Sequence, residues 1–107
     1  DTGKVTDMSG MFSGANSFDQ DIGSWTVSVL TTAERMFQNN ALSIPNYDAL
    51  LLGWAAQALQ TGVTFDGGNS IYWDGAAARE SMITDKGWTI TDGGKKRVHF
   101  FFPILLN

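Results

Sequence analysis

Cysteine is absent from the 107 residues, which excludes a disulfide framework and any thiolate metal site. That absence is neutral about compartment, because an extracellular bacterial protein need not contain any. Histidine occurs once, as His99, among aromatic residues and with no serine or cysteine nucleophile placed to pair with it, so nothing asks for a Ser–His–Asp triad. Basic residues are scarce before the tail. Residues 1–94 hold all eleven acids and only Lys4, Arg35, Arg79 and Lys86, a net charge of −7, and the tail from Lys95 adds +3. Such an acidic body lacks the basic footprint of a nucleic-acid-binding protein. No signal peptide opens the chain, and no apolar run is long enough to cross a bilayer.

Several chemical signatures are also missing. Asp66-Gly-Gly-Asn-Ser70 and Asp92-Gly-Gly94 invite a calcium reading. They lack the alternating acid ligands and the closing glutamate of an EF-hand loop, and read more simply as turns with Asp bonding its own backbone. Neither carries the Gly spacing or Lys-Ser/Thr of a phosphate loop. Asp19 and Asp21 are a carboxylate pair, but glycoside hydrolysis needs two acids across a cleft, and nothing implies one. No catalytic, cofactor or metal residue is expected.

What the chain does contain is a fixed step. Val5, Thr6 and Met11-Phe12 recur as Leu30, Thr31 and Met36-Phe37, every one at an offset of 25. Gly62-Val-Thr-Phe-Asp-Gly-Gly68 recurs as Gly87-Trp-Thr-Ile-Thr-Asp-Gly-Gly94, with Val63 over Trp88, Thr64 over Thr89 and Phe65 over Ile90. Periods of roughly 20 to 50 residues mark solenoids, in which one unit cannot bury its apolar face alone and neighbours must stack. The string Lys4-Val-Thr-Asp-Met-Ser-Gly-Met-Phe-Ser-Gly-Ala-Asn-Ser-Phe-Asp-Gln-Asp-Ile-Gly-Ser-Trp25 resembles the BspA-like repeat of bacterial surface proteins. That leucine-rich-repeat-like unit is also found in mycoplasma lipoproteins of unknown function. Residues 1–25 match its pattern well, with Asp19 where Asn is usual. Residues 26–42 match weakly, with Ala33 in place of the first Met, and residues 46–94 are similar to the closing segment that often follows such repeats. The resemblance implies a cell-surface or secreted bacterial interaction protein and brings no catalytic residues.

The resulting expectation is an α/β chain folded as a short right-handed leucine-rich-repeat-like solenoid of parallel strands and short helices, about 25 residues per turn. Residues 1–25 and 26–45 would be repeats, 46–94 C-terminal capping units, and 95–107 an apolar tail. Met8, Met11 and Phe12 stand at helix spacing, with Gly14 as a stop, and predict a short helix whose apolar residues point inward. The second copy predicts the same over 32–39, with Ala33, Met36 and Phe37 inward. Pro45 breaks the pattern. A longer helix follows over 46–61, capped by Asn46, with Tyr47, Leu50, Leu51, Trp54, Ala58 and Leu59 as its apolar stripe. Gly53, with Ala49 and Ala56, leaves a smooth side for a close neighbour. Asp74 would cap a helix over 75–84, carrying Ala78, Met82 and Ile83 inward. Extended segments around Ile22, Ile44, Phe65 and Ile90 would stack.

With Ile22, Phe65 and Ile90 inward, Asp21, Thr64 and Thr89 form one outward row, and Gly23, Asp66 and Thr91 another. Asp21, Thr64, Asp66, Thr89 and Thr91 are therefore the candidate partner-binding face, set against the plainer reading of solvated strand residues. Tyr72 and Trp73 suit either stacking on a sugar ring or a hydrophobic staple onto the following helix. The functional expectation is a non-catalytic module for protein or host-surface recognition, or for structural spacing, with a carbohydrate- or calcium-binding surface as the alternative. The chain starts in mid-pattern, so it is expected to be an end of something longer, with any secretion signal upstream. The tail reads as an edge strand, an association patch, or an accidental extension or truncated anchor. The tail and an open first repeat are the two expected routes to a homo-oligomer.

Overall fold

Pro45 opens a helix instead of breaking one. In the first turn of α1 (Ile44–Ala55) its missing N–H costs no hydrogen bond and its fixed φ is already helical. Ser43 is the N-cap, extended at φ −60° and ψ 158°, and its side chain does not cap. The carboxylate of Asp19 does the tying: its Oδ1 accepts from the Ser43 N–H at 2.8 Å and from Asn46 Nδ2 at 2.9 Å. These bonds, the Ser43 N–H first, hold the Asp19 carboxyl below its ordinary value. The helix therefore starts ahead of the expected Asn46. It also ends well before the expected Thr61, because Gln57 leaves the helical path to serve the preceding segment. Its Oε1 accepts from the Val27 N–H at 2.8 Å and its Nε2 donates to the Trp25 carbonyl at 2.8 Å. Tyr47, Leu50, Leu51 and Trp54 are all fully buried on one face of α1, each worth roughly 1.5–3 kcal/mol of transfer energy.

The computed structural model describes residues 2–97. Within them the chain forms a small α/β domain of two short helices and four short strands, the strands in two parallel pairs. β1 (Thr64–Asp66) lies beside β3 (Thr89–Thr91) in the register Thr64↔Thr89, Phe65↔Ile90, Asp66↔Thr91, which is the offset seen in the sequence. β2 (Ile71–Tyr72) pairs with β4 (Gly94–Lys95), so Lys95 still belongs to the strand that Gly94 begins. Expectations for the rest of the tail, including His99, lie outside the described residues.

The second helix, α2 (Ala76–Lys86), is held from a distance. Gly75 is its N-cap and makes no side-chain cap. Asp74, the expected cap, contributes only its N–H. The buried carboxylate of Asp48 on α1 takes the helix start instead. Its Oδ1 accepts from the N–H groups of Trp73 (2.8 Å) and Gly75 (2.9 Å), and its Oδ2 from that of Asp74 (3.1 Å). A negative charge at a helix N-terminus answers both the unpaired N–H groups and the dipole. Asp48→Ala strands three donors in a buried site. It is expected to cost about 2–3 kcal/mol in urea unfolding and to speed amide exchange first in residues 76–79. Unchanged exchange there would refute this role. At its other end α2 stops at Gly87, left-handed at φ 68°, whose N–H reaches back to Ile83 and Met82.

The N-terminal half departs from the expected helices. Residues 8–14 and 33–40 form chains of tight turns. Met11, Ser13 and Ala15 donate their N–H groups to Met8, Gly10 and Phe12, and the same bonds recur one repeat on from Met36, Gln38 and Asn40 to Ala33, Arg35 and Phe37. Gly10 and Gly14 sit at φ 68°, and their counterparts in the second copy, Arg35 and Asn39, keep that left-handed backbone at 55° and 61°. One left-handed residue in every four forbids an α-helix. Met11 is consequently 42% exposed and not inward, whereas Met8, Ala33, Met36 and Phe37 are buried as expected. Residues 18–25 form no strand either, although Ile22 is buried, and Ile44 begins α1.

The two turn chains hydrogen-bond side by side. N–H groups of Met8, Gly10, Phe12 and Gly14 donate to carbonyls of Thr32, Glu34, Met36 and Gln38 at 2.8–3.0 Å. Parallel bridges join Asp7 to Thr32 and Ala33 to Phe65. Behind this ladder runs an aromatic series: Phe12 stacks on Phe37 (5.3 Å between centroids), Phe37 meets Phe65 edge-on, and Phe65 meets Trp54 and Trp88. At the far end Asp92, its side chain 1% exposed, pairs with Arg79 Nε at 2.8 Å and accepts from the Tyr47 hydroxyl at 2.5 Å and the Gly94 N–H at 2.9 Å.

Candidate functional site

The register places most, but not all, of the expected face together. Thr64 lies beside Thr89 and Asp66 beside Thr91. Asp21 is elsewhere: it is on no strand, and its Oδ1 accepts from the nearby Gly23 N–H at 2.9 Å. Its place in the row is taken by residues the sequence reading passed over. The Ala33–Phe65 bridge, stepped back one residue, sets Thr32 beside Thr64, and the other bridge sets Asp7 beside Thr32. The row is thus Asp7, Thr32, Thr64, Thr89. Thr6 and Thr31 carried the signal for it, since extending their match by one position reaches Asp7 and Thr32.

Chemically the row is a line of hydroxyls with acids beside it. The side chains of Thr32, Thr64, Thr89 and Thr91 make no hydrogen bond among the described residues. Glu34 is exposed, and Thr89 and Thr91 are exposed at one end. Hydrogen bonds from Ser9, its hydroxyl before its N–H, keep the exposed Asp7 carboxyl below its ordinary value and the group ionised. Asp66 is partly spent on its own turn, accepting from the Gly68 N–H at 2.7 Å. Asp92 does the same for Gly94 while bound to Arg79. Among the described residues no three His, Asp or Glu side chains gather as a metal-ligand set.

A second surface involves α1. Ile44, Pro45, Ala49 and Leu52 of α1, with Trp73, Asp74 and Lys96, line a groove of about 400 Å³. Trp73 is 41% exposed and Leu52 51%. The Lys95 and Lys96 ammonium groups lie 5.8 and 5.7 Å from the Trp73 ring centroid. Of the two aromatic residues expected here, Tyr72 packs partly into the core, with the Arg79 guanidinium 4.9 Å from its ring centroid, and Trp73 faces outward. Leu52 was the available signal for this groove: it stands off the buried stripe of α1 and has no inner surface to meet.

Residues 1–64 match a family model described as "Mycoplasma protein of unknown function, DUF285". No curated protein and no solved structure matches the chain. No helix among the described residues is long and apolar enough to cross a membrane.

Proposed function

The chain belongs to this family of mycoplasma proteins of unknown function, and from that premise we propose a non-catalytic repeat module. It would be a short right-handed leucine-rich-repeat-like solenoid, one repeat to each turn, displayed on a bacterial cell surface or secreted. It would serve to recognise a protein or host-surface ligand, or to space other domains. The observation that carries this reading is the row of unpartnered hydroxyls, Thr32, Thr64 and Thr89, laid across successive parallel segments with acids alongside. A rigid polar ladder can bind without reorganising, which keeps the entropic cost of association low. The acids favour a partner with basic and hydrogen-bonding groups.

The test is binding of the labelled chain to an array of host extracellular-matrix and cell-surface proteins, compared with Thr89→Lys/Thr91→Lys. Both side chains are exposed, so the double variant should melt within about 2 °C of the parent. Its affinity for any bound protein should fall at least about tenfold, a loss of about 1.4 kcal/mol. Undiminished binding would move the site off this face, and an array with no binder would leave spacing as the role.

The second reading is carbohydrate binding, and Trp73 is the observation behind it. An exposed indole beside a groove can stack on a sugar ring. A glycan panel followed by tryptophan fluorescence, with Trp73→Ala as control, decides it.

A further inference from the structure

The groove beside Trp73 carries charge as well as apolar surface. Lys95, Lys96 and Arg97 stand consecutively, three of the seven basic residues in the chain, and all three are exposed. The body ahead of them is acidic, yet none of the three pairs with a carboxylate among the described residues. The fold itself sets them there. Lys95 lies beside Tyr72 in the β2–β4 pair, and the Lys96 N–H donates to the Tyr72 carbonyl at 2.7 Å, so both lysine backbones are fixed next to Trp73. Their ammonium groups converge on one indole, within reach of its negative face. Adjacent cations repel each other, and an anion beside the ring would offset that repulsion.

Two acids line the same groove, Asp48 and Asp74. Asp48 is buried, and three N–H groups already occupy its carboxylate. Asp74 is exposed, and its carboxylate accepts no hydrogen bond from the described residues. The groove therefore offers a flat aromatic face, two cations at that face and one open acceptor. Its volume of about 400 Å³ falls within the range of small-ligand sites, roughly 300–1,000 Å³.

We infer that this groove takes an anionic sugar, with a ring stacked on Trp73 and a carboxylate at Lys95 and Lys96. The inference rests on the carbohydrate reading of the groove and names the class of sugar. Two features select a sugar over an acidic peptide. A sugar hydroxyl can donate to Asp74, whereas a second carboxylate would be repelled by it. Residues 73, 74 and 96 also lie outside the strands, so the groove presents no strand edge for an extended peptide to pair with.

The experiment measures binding of the full chain, at low salt, to hyaluronan and galacturonate hexamers and to sialyllactose. Each stands beside its uncharged counterpart: the carboxyl-reduced hexamers and lactose. A glutamate hexamer is the peptide control. At least one acidic sugar should bind about tenfold or more tighter than its counterpart, and the margin should shrink as salt rises. Lys95→Gln/Lys96→Gln should bring the acidic sugar down to the affinity of the uncharged one and leave the latter unchanged. Both lysines are exposed, so this variant should melt within about 2 °C of the parent. Trp73→Ala should weaken both forms at least about tenfold. Acidic and uncharged forms bound alike, or acidic binding that survives the lysine substitutions, would overturn the anionic preference and leave the carbohydrate reading standing. A panel in which no sugar of either kind binds overturns both. A glutamate hexamer bound as tightly as the best sugar would make the groove a peptide site and overturn the inference.

Discussion

Replacing Asp92 by alanine is expected to destabilise the protein by about 3–5 kcal/mol, the cost of breaking a buried ion pair by removing one partner. Asp92 joins three parts of the chain: Tyr47 from α1, Arg79 from α2 and the Gly94 turn that begins β4. Without the carboxylate, the Tyr47 hydroxyl and the Arg79 guanidinium keep their burial and lose their acceptor. Arg79→Met should cost less, since Asp92 retains the Tyr47 hydroxyl and the Gly94 N–H. The double variant should cost clearly less than the two single costs added together. Strict additivity in urea unfolding would refute a coupled network.

The same network has a signature in alkali. Burial first, and then the Asp92 carboxylate beside it, push the Tyr47 phenol above its ordinary value of 10.0. The folded state keeps a proton that the unfolded chain releases. The resulting stabilisation is whole below about pH 10, and stability falls as pH rises beyond it, by about 1.4 kcal/mol per pH unit for this one group. Tyr47→Phe should remove that share of the slope. A profile unchanged by the substitution would mean that Tyr47 ionises as freely in the folded protein as in the unfolded one.

What could be read in advance, and what could not, divides along a physical line. The pairing of Thr64 with Thr89 was legible because a parallel register preserves sequence offset, so two similar strings at a fixed spacing predict neighbours. The buried stripe of α1 was legible because a helical period survives whatever covers it. The turn chains were misread because Met8, Met11 and Phe12 satisfy that period by accident. The contrary signal was Gly10 inside the supposed helix, with Gly14 one turn further, but Arg35 and Asn39 at the matching places hid its meaning. Caps were misread for a different reason. Asn46 and Asp74 are the local choices, whereas the groups that do the work, Asp19 and Asp48, each lie about one repeat earlier in the chain. A carboxylate 24–27 residues earlier can tie down a helix start, and local rules do not see that far along the chain. Asp21 left the expected face for the same cause. Its row was counted from a strand at Ile22, but the segment that joins the ladder lies well ahead of it, at Asp7.

Gly53→Ala shows how far tertiary contact overrides local preference. In the middle of an exposed helix this change stabilises by up to about 1 kcal/mol. Here it should destabilise by about 3 kcal/mol or more, in line with other forced overpacking. A Cβ on Gly53 would overlap the Gly23 carbonyl oxygen and stand 2.7 Å from its carbon, and both are backbone atoms that cannot turn aside. The smooth side of α1 expected from Ala49, Gly53 and Ala56 is therefore used, though by the loop at Gly23 and not by a helix. The contact is reciprocal, since a Cβ on Gly23 would overlap the Ala49 carbonyl. Trp54 Nε1 donates to the Ile22 carbonyl at 3.1 Å just beside it, so pushing the loop away also strands a buried indole N–H. The bonds of Gln57 to Trp25 and Val27 lie within the same short stretch. The loss should appear as detachment of residues 21–27 from α1, read as faster exchange at the Val27 amide and a shift in Trp54 fluorescence. A Gly53→Ala variant as stable as the parent would mean that the loop can retreat without loss. Residues 21–27 would then be held to α1 by far less than this geometry requires.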